Sequence, residues 1–403
     1  MSKKIVAINS CLNGSTGKIM LGINSAAEHE GYMTWTVTEY RRRKTRIKID
    51  GINSITVGSF LSRYFHVFTG KLIGLQGCFS FFATIRLVKQ LDSIKPDVIH
   101  LHNLHDSFIN LFVLFAYIKK NNIPVVWTLH DCWAFTGRCP HFQLTSCDKW
   151  QTGCNACEYS KSLYPKSLID NSEFMWRKKR KWFTGVGNMT IITPSEWLAG
   201  LVRQSFLKEY PVRVINNGID LSVFRPTECD YRKQYGIPED KYIVLGVAFD
   251  WGERKGLDVF IELSRRLGND YQIVLVGTDD TIDRMLPESI ISIHRTANQQ
   301  ELAKIYSAAD LFVNPTREDN YPTVNMEALA CGTPVITFNT GGSPEMIDDT
   351  CGVVVDCDDL ESLEKEIIWI CEEKPYSEEA CLRRAAHFEE RERFKEYIAL
   401  YGK

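Results

Sequence analysis

The chain alternates short apolar runs with stretches whose apolar residues recur at helical spacing. KIVAIN (4–9) has the pattern of a short strand, and residues 14–31 read as a glycine loop running into a helix that stops at Gly31. TWTVTEY (34–40), PDVIHLHN (96–103), IPVVWTLHD (123–131) and NMTIITPS (188–195) repeat the strand pattern. A helix holding 108–120 joins the middle two, and another begins at Glu196. This is the order of a parallel doubly wound sheet. VRVINNGIDLSVFRP (212–226) reads as a strand and an irregular linker. The same order then restarts with YIVLGVAF (242–249), a helix over about 256–267, YQIVLVGT (271–278) and ISIHR (291–295). It continues with a helix over about 299–308, LFVNP (311–315), a helix after Pro322 and PVITF (334–338). The pattern predicts an α/β chain of two Rossmann-like domains, 1–215 and 216–380, facing each other across a cleft. A C-terminal helix over 380–403 is expected to pack back on the first. Open sheets of this kind bind ligands beyond the carboxyl ends of their strands.

Composition supports a folded, two-domain chain. Its 403 residues exceed one ordinary domain, and 44% are hydrophobic and 24% charged. The longest apolar run, FINLFVLFAYI (108–118), is too short to cross a bilayer. The start, MSKKIVAINS, lacks an apolar signal core, which points to the cytoplasm, where thiols stay reduced.

Charge changes the picture more. Residues 1–215 carry 28 Lys and Arg against 14 Asp and Glu, hence +14, and the remainder carries 20 against 36, hence −16. A basic half is drawn to an anionic membrane surface or a phosphate-bearing substrate. Its basic runs are RRRKTRIK (41–48) and RKKRK (177–181), and simple solvated faces are the competing reading. No nucleic-acid partner is expected.

Four of the thirteen cysteines, Cys139, Cys147, Cys154 and Cys157, fall within nineteen residues. Cys154 and Cys157 have chelate spacing, so the four could close a structural zinc site. Free thiols in a packed loop and a disulfide are the alternatives.

The strongest chemical signal is REDNYPTVNMEALACGTPV (317–335). Pro322 is well placed near the first turn of a helix that ends before Gly332. The N–H groups at that helix start suit a diphosphate. Glu327, about one turn in, is placed to accept hydrogen bonds from a ribose diol, and Asp319 to hold sugar hydroxyls. The plainer reading makes Asp319 a loop cap and Glu327 a surface pair. Nearby, Arg254, Lys255 and Gly256 follow a strand directly, where cations neutralise phosphate and glycine permits close approach. Gly341 and Gly342 open a loop able to form a backbone anion nest.

Taken together, DNYPTVNMEALACGTPV, RKG, NNGID and GGSPE resemble the retaining nucleotide-sugar glycosyltransferases of family 4, with the GT-B fold. IHLHNLHDSFINL and WTLHDCWAFTGRC resemble the subgroup of capsule, exopolysaccharide and colanic-acid gene clusters. The resemblance implies that Glu327 binds ribose, that Asp319 contacts the donor sugar, and that Asn320, Tyr321, Pro322 and Thr323 meet the phosphates. It makes Lys255 the diphosphate lysine. The chain departs from the pattern in having Asp at 319 for the commoner Glu, and Asp250 where an arginine is usual; adjacent Arg254 is expected to substitute. In the first domain it implies that Gly14, Ser15, Thr16 and Gly17 lie beside the donor phosphates and acceptor, and that His130 and Asp131 belong to the active site. His100 reads as core and His102 as lining the cleft.

The implied reaction is transfer of a glycosyl group, with retention and no cofactor or metal required. The donor is a nucleoside-diphosphate sugar, UDP ahead of GDP, and the acceptor a hydroxyl of a polyprenyl-diphosphate-linked oligosaccharide at the inner face of the cell membrane. Two other classes stand beside it: a GT-B sugar-nucleotide epimerase or hydrolase, and a non-catalytic sugar-nucleotide-binding subunit.

Overall fold

The computed structural model describes residues 2–12, 14–40, 51–105 and 107–402. The basic run 41–48 therefore lies outside the described residues. The chain divides into two compact units, Met1–Ile215 with Phe394–Lys403, and Asn216–Arg393.

The first unit is built on seven parallel strands: β1 (Lys4–Ile8), β2 (Met33–Glu39), β3 (Ser54–Val57), β4 (Val98–Leu101), β5 (Val125–Thr128), β6 (Met189–Thr193) and β7 (Val212–Val214). Their order is β3-β2-β1-β4-β5-β6-β7. The second has six: β8 (Tyr242–Val247), β9 (Tyr271–Val276), β10 (Ile291–Ile293), β11 (Leu311–Asn314), β12 (Val335–Phe338) and β13 (Gly352–Val355), in the order β10-β9-β8-β11-β12-β13. Both sheets are doubly wound, as the alternating pattern predicts, and each reverses direction beside its first strand. Those reversals, between β1 and β4 and between β8 and β11, are where such sheets open a crevice.

Both faces of each sheet are covered, which is why the strands read as continuous apolar runs. In the first unit Val6, Ile8, Ile99, Leu101, Val125 and Trp127 face one core, and Ile5, Val98, Val126 and Ile192 face the other. The second core is closed by the helix Gly14–His29, through Ile19, Ile23 and Ala27, and by Phe394, Tyr397 and Tyr401.

The C-terminal tail departs from a single helix over 380–403. A helix Glu378–Ala385 and a short turn Ala386–Phe388 belong to the second unit, and Cys381, Ala385 and Phe388 sit in its core. The last helix, Glu390–Tyr401, carries the chain into the first unit from Phe394 onward. The physical reason is local: Cys381, Ala385 and Phe388 are apolar members of a stretch rich in charge that have a core of their own to fill, in the second unit.

Candidate functional site

In the second unit the predicted residues gather at the switch point. After β8 the chain makes a turn, Glu253–Lys255, and enters the helix Leu257–Arg266 through Gly256. Gly256 has φ +71, and a Cβ there would lie 2.4 Å from the Pro315 carbonyl oxygen. Only glycine lets this turn press against the end of β11. The turn thereby reaches the loop that follows β11. Lys255 Nζ pairs with Asp319 Oδ2, the two side chains being 16% and 22% exposed. Arg254 Nη1 donates to the Glu318 carbonyl at 3.2 Å, and its own carbonyl accepts from Arg317 N at 2.9 Å.

Asp319 is doubly fixed. Its Oδ1 accepts from Tyr321 N at 3.2 Å, and its carbonyl accepts from Gly342 N at 3.4 Å. Gly341 takes φ +55 in the loop after β12. Lys255, Asp319 and Gly342 thus tie together the loops leaving three neighbouring strands. Asn320 and Tyr321 are buried, and Thr323 is half-buried at the first turn of the helix Thr323–Ala330, with Pro322 before it. That helix has no acidic residue in its first turn, so its N–H groups keep their positive field. Glu327 is half-buried, and its Oε2 accepts from the Tyr306 hydroxyl at 3.1 Å. Burial, then the Glu327 charge, pushes the Tyr306 phenol well above its ordinary range, so it stays a donor.

Three residues of this region carry no signal in the motif spacing. Tyr306 backs Glu327 from a different helix. Arg317 grips Asp258 with both terminal nitrogens, at 2.8 and 2.7 Å, and Asp358 through Nε at 2.7 Å. It clamps the loop rather than offering a cation. Asn325 Oδ1 accepts from Asn314 Nδ2 at 2.7 Å, while its buried Nδ2 has no hydrogen-bond partner.

In the first unit the helix Gly14–His29 starts at the glycine loop. A Cβ at Gly17 would lie 2.3 Å from the Leu12 carbonyl oxygen, so the loop closes on the helix only with glycine there. Thr16 Oγ1 accepts from Asn9 Nδ2 at 3.3 Å, and Asn9 Oδ1 accepts from Asn103 N at 3.1 Å. This ties the loop after β1 to the loop after β4. Gly14 and Ser15 are exposed.

Beside these loops lies a column of imidazoles. His100 is core, its ring held by the Tyr401 hydroxyl at 2.5 Å and by Thr128 Oγ1 at 2.8 Å. His102 stands deeper than a lining residue, at 1% exposure, its ring centre 4.1 Å from that of His100 and 5.4 Å from that of His130. Its Nδ1 is 3.0 Å from His130 Nε2, and its buried Nε2 has no hydrogen-bond partner. Burial, reinforced by the neighbouring imidazoles, holds His102 well below the usual histidine range and His100 near about 3. Burial lowers His130 to about 4 against the pull of Asp131. Burial opposes the Asp131 charge, but His105 Nε2 at 3.0 Å and Trp133 N at 2.8 Å hold its carboxyl below the ordinary range.

The cysteine cluster does not form a cage. Cys139 and Cys157 hydrogen-bond to each other, and Cys154 Sγ accepts from Gly137 N at 3.1 Å. Among the described residues the one group of three ligand atoms within 4.8 Å is Asp280, Asp283 and His294, all exposed. Nor is RKKRK a uniform basic face: Lys179 is fully buried, its Nζ 2.7 Å from the Trp133 carbonyl and 3.4 Å from that ring's centre. Burial brings its pKa down to about 7.

Comparison with known proteins places these features. Residues 228–398 match the family described as glycosyl transferases group 1, and residues 59–223 match glycosyltransferase family 4. The chain is 28% identical over 273 residues to a putative colanic acid biosynthesis glycosyl transferase, WcaC, of Escherichia coli, covering 64% of each chain. It is 30% identical over 188 residues to a D-inositol 3-phosphate glycosyltransferase of Mycolicibacterium smegmatis, covering 43% of this chain and 42% of that one. The match thus spans less than two thirds of either relative. Among solved structures it is similar to a sucrose-phosphate synthase of Thermosynechococcus elongatus, with TM-score 0.73, 19% identity and 99% and 98% of the two chains covered. It is also similar to Anabaena HepE in complex with UDP and glucose, with TM-score 0.68, 15% identity and 99% of both chains covered.

Proposed function

For a chain built from a glycosyltransferase family 4 region followed by a glycosyl transferases group 1 region, with the two doubly wound sheets of the GT-B fold, we propose a retaining glycosyltransferase. It moves a sugar from a nucleoside-diphosphate sugar, UDP ahead of GDP, to a hydroxyl of a growing surface-polysaccharide oligosaccharide carried on a polyprenyl diphosphate. It works at the cytoplasmic face of the membrane. The observation that carries this reading is the Lys255–Asp319 pair at the switch point, flanked by Gly341–Gly342 and by the helix that bears Glu327. The acceptor class is supported by a relative named for colanic acid biosynthesis, and the UDP preference by a structural neighbour in complex with UDP.

The barrier to glycosyl transfer is departure of the diphosphate. Lys255 and Arg254, with the amides of the helix tip and the Gly341–Gly342 loop, stabilise the charge that develops there. Without donor, the ammonium of Lys255 rests on Asp319. A diphosphate competes for that ammonium and frees the Asp319 carboxylate for sugar hydroxyls. Asn320, Tyr321 and Thr323 border the phosphates, and Glu327, held by Tyr306, takes the ribose diol. These cations and amides supply the positive charge without a metal. To the first unit's Gly14, Ser15, Thr16 and Gly17, and to His102, we assign contact with acceptor and phosphate. His130, kept neutral at pH 7, and Asp131 address the reacting sugar and acceptor as hydrogen-bonding groups. Attack on the same face, assisted by the leaving phosphate, gives retention.

The test is incubation with a panel of UDP- and GDP-sugars, with and without a lipid-linked acceptor. Acceptor-dependent nucleotide release, and a product with the donor's anomeric configuration by NMR, is the expected result. Release without acceptor assigns an epimerase or hydrolase. No turnover of any donor assigns a binding subunit, and an inverted product removes the retaining mechanism.

A further inference from the structure

The helix Phe60–Ile73 in the first unit is inside out. Its inward positions include His66 and Gly70, both buried, with Ser62 and Thr69 half-buried. His66 Nδ1 bonds Ser80 Oγ at 2.8 Å, and its Nε2 accepts from Gly77 N at 3.2 Å. Its outward positions are Phe60, Leu61, Tyr64, Phe65, Phe68 and Leu72, between 39% and 76% exposed. The spacing i, i+1, i+4, i+5, i+8, i+12 puts all six on one face. Internal packing gives no reason for that arrangement, because a helix placed by its core turns its apolar face inward.

The apolar surface extends beyond the helix. Leu168 N and Ile169 N donate to the carbonyls of Lys71 and Leu72 at 3.0 and 3.1 Å, laying Leu168 (66% exposed) and Ile169 (50%) beside its C-terminal end. Phe82 (77%) lies in the first turn of the next helix, Phe81–Ile94, two residues after the Ser80 that His66 holds. Contiguous apolar surface of this extent marks an interaction site.

Charge identifies what covers it. Residues 51–91 contain no Asp or Glu. Of their four cations, Arg63 pairs with Glu39 at 2.9 Å, and Lys71, Arg86 and Lys89 are exposed. The segment carrying Leu168 and Ile169 leads into the basic helix Ser172–Phe183. We propose that the Phe60–Ile73 face, with Leu168, Ile169 and Phe82, is a bilayer-docking surface that buries its aromatic and aliphatic side chains at the acyl boundary while the surrounding cations meet anionic headgroups. Aromatic side chains with Lys and Arg around them suit that interface. A second copy of this chain fits less well, since symmetric pairing sets these cations against their own counterparts. The proposal rests on the peripheral placement offered above but not on the transfer reaction. Among the described residues no helix is long and apolar enough to cross a membrane, so the attachment is one that lies on the surface.

Flotation of the full chain with vesicles of equal parts phosphatidylglycerol and phosphatidylcholine tests it. Wild type is expected to float with the vesicles and to remain largely bound in 0.5 M NaCl, because apolar insertion outlasts screened attraction. The Leu61→Ser/Phe65→Ser/Phe68→Ser variant is expected to lose binding by about tenfold or more. Leu61→Ser/Phe82→Ser changes two of the most exposed side chains, guards against misfolding, and should lose a smaller share. Unchanged melting on addition of UDP-glucose, in wild type and variants alike, would count against the donor site and leave this surface standing. The proposal is overturned if wild type does not float, if both variants float as wild type does, or if wild type dimerises through this face and the triple variant is monomeric.

Discussion

Lys255 and Glu327 are not interchangeable parts of one pocket. Lys255 is a point charge already spent on Asp319, and its removal strands that carboxylate among loop amides and takes one cation from the diphosphate. Lys255→Ala should lower kcat/KM by about 100-fold or more, since such a contact strengthens as the leaving group departs. Glu327→Gln keeps the size and the Tyr306 hydrogen bond but weakens acceptance from a diol, so KM for donor should rise about tenfold with little change in kcat; steady-state kinetics over a donor series separates the two. Histidine titration gives a third outcome. His100 and His130 titrate near about 3 and about 4 in the folded chain, below the unfolded value near 6.5. Between those limits the unfolded state binds more protons, so stability is full above about pH 6.5 and is lost as pH falls toward 4. The loss is of order 1–3 kcal/mol per buried imidazole. Thermal melts from pH 7.5 to 4.5 should show Tm falling steadily, and His100→Asn should flatten the slope if the replacement folds.

The strands and the helix behind the diphosphate motif were legible because short apolar runs and a Pro–Gly bracket speak through local chemistry. Gly256 was legible as a close approach, and the structure supplies the distance. Gly256→Ala should cost about 2 kcal/mol from its left-handed φ and the clash with the Pro315 carbonyl, visible as a fall in chemical-denaturation midpoint with the slope unchanged. Other elements escaped reading. The helices Phe81–Ile94 and Ser172–Phe183 do not follow a strand directly, and Phe60–Ile73, which follows β3 after two residues, carries its apolar residues on the wrong side for a core helix. Lys179 looked like one cation among five, but the carbonyls of Trp133 and Thr136 draw it inside. Tyr306, 21 residues before Glu327, could not be paired with it by spacing, because the contact exists only once two helices pack. The cysteine spacing showed four thiols in one loop region, but not the hydrogen bonds they make there, Gly137 N to Cys154 Sγ and Cys139 to Cys157.

At the scale of the molecule, the two units repeat one strand order with different equipment. The first carries neutral imidazoles and an excess of cations, and the second a lysine–aspartate pair and an excess of acids. The chain also returns: Phe394, Tyr397 and Tyr401 complete the core of the first unit after the second has been built. Truncation after Arg393 should therefore destabilise the first unit by several kcal/mol, from three lost aromatic side chains, while hydrogen exchange in 230–375 stays near wild type. This division of labour makes a demand on nucleotide affinity. If Lys255 grips the diphosphate and His130 serves only sugar and acceptor, isothermal titration of the full chain with UDP should show Lys255→Ala binding about tenfold to 100-fold more weakly and His130→Ala binding as wild type does. Wild-type affinity in Lys255→Ala, or an equal loss in His130→Ala, would contradict the account.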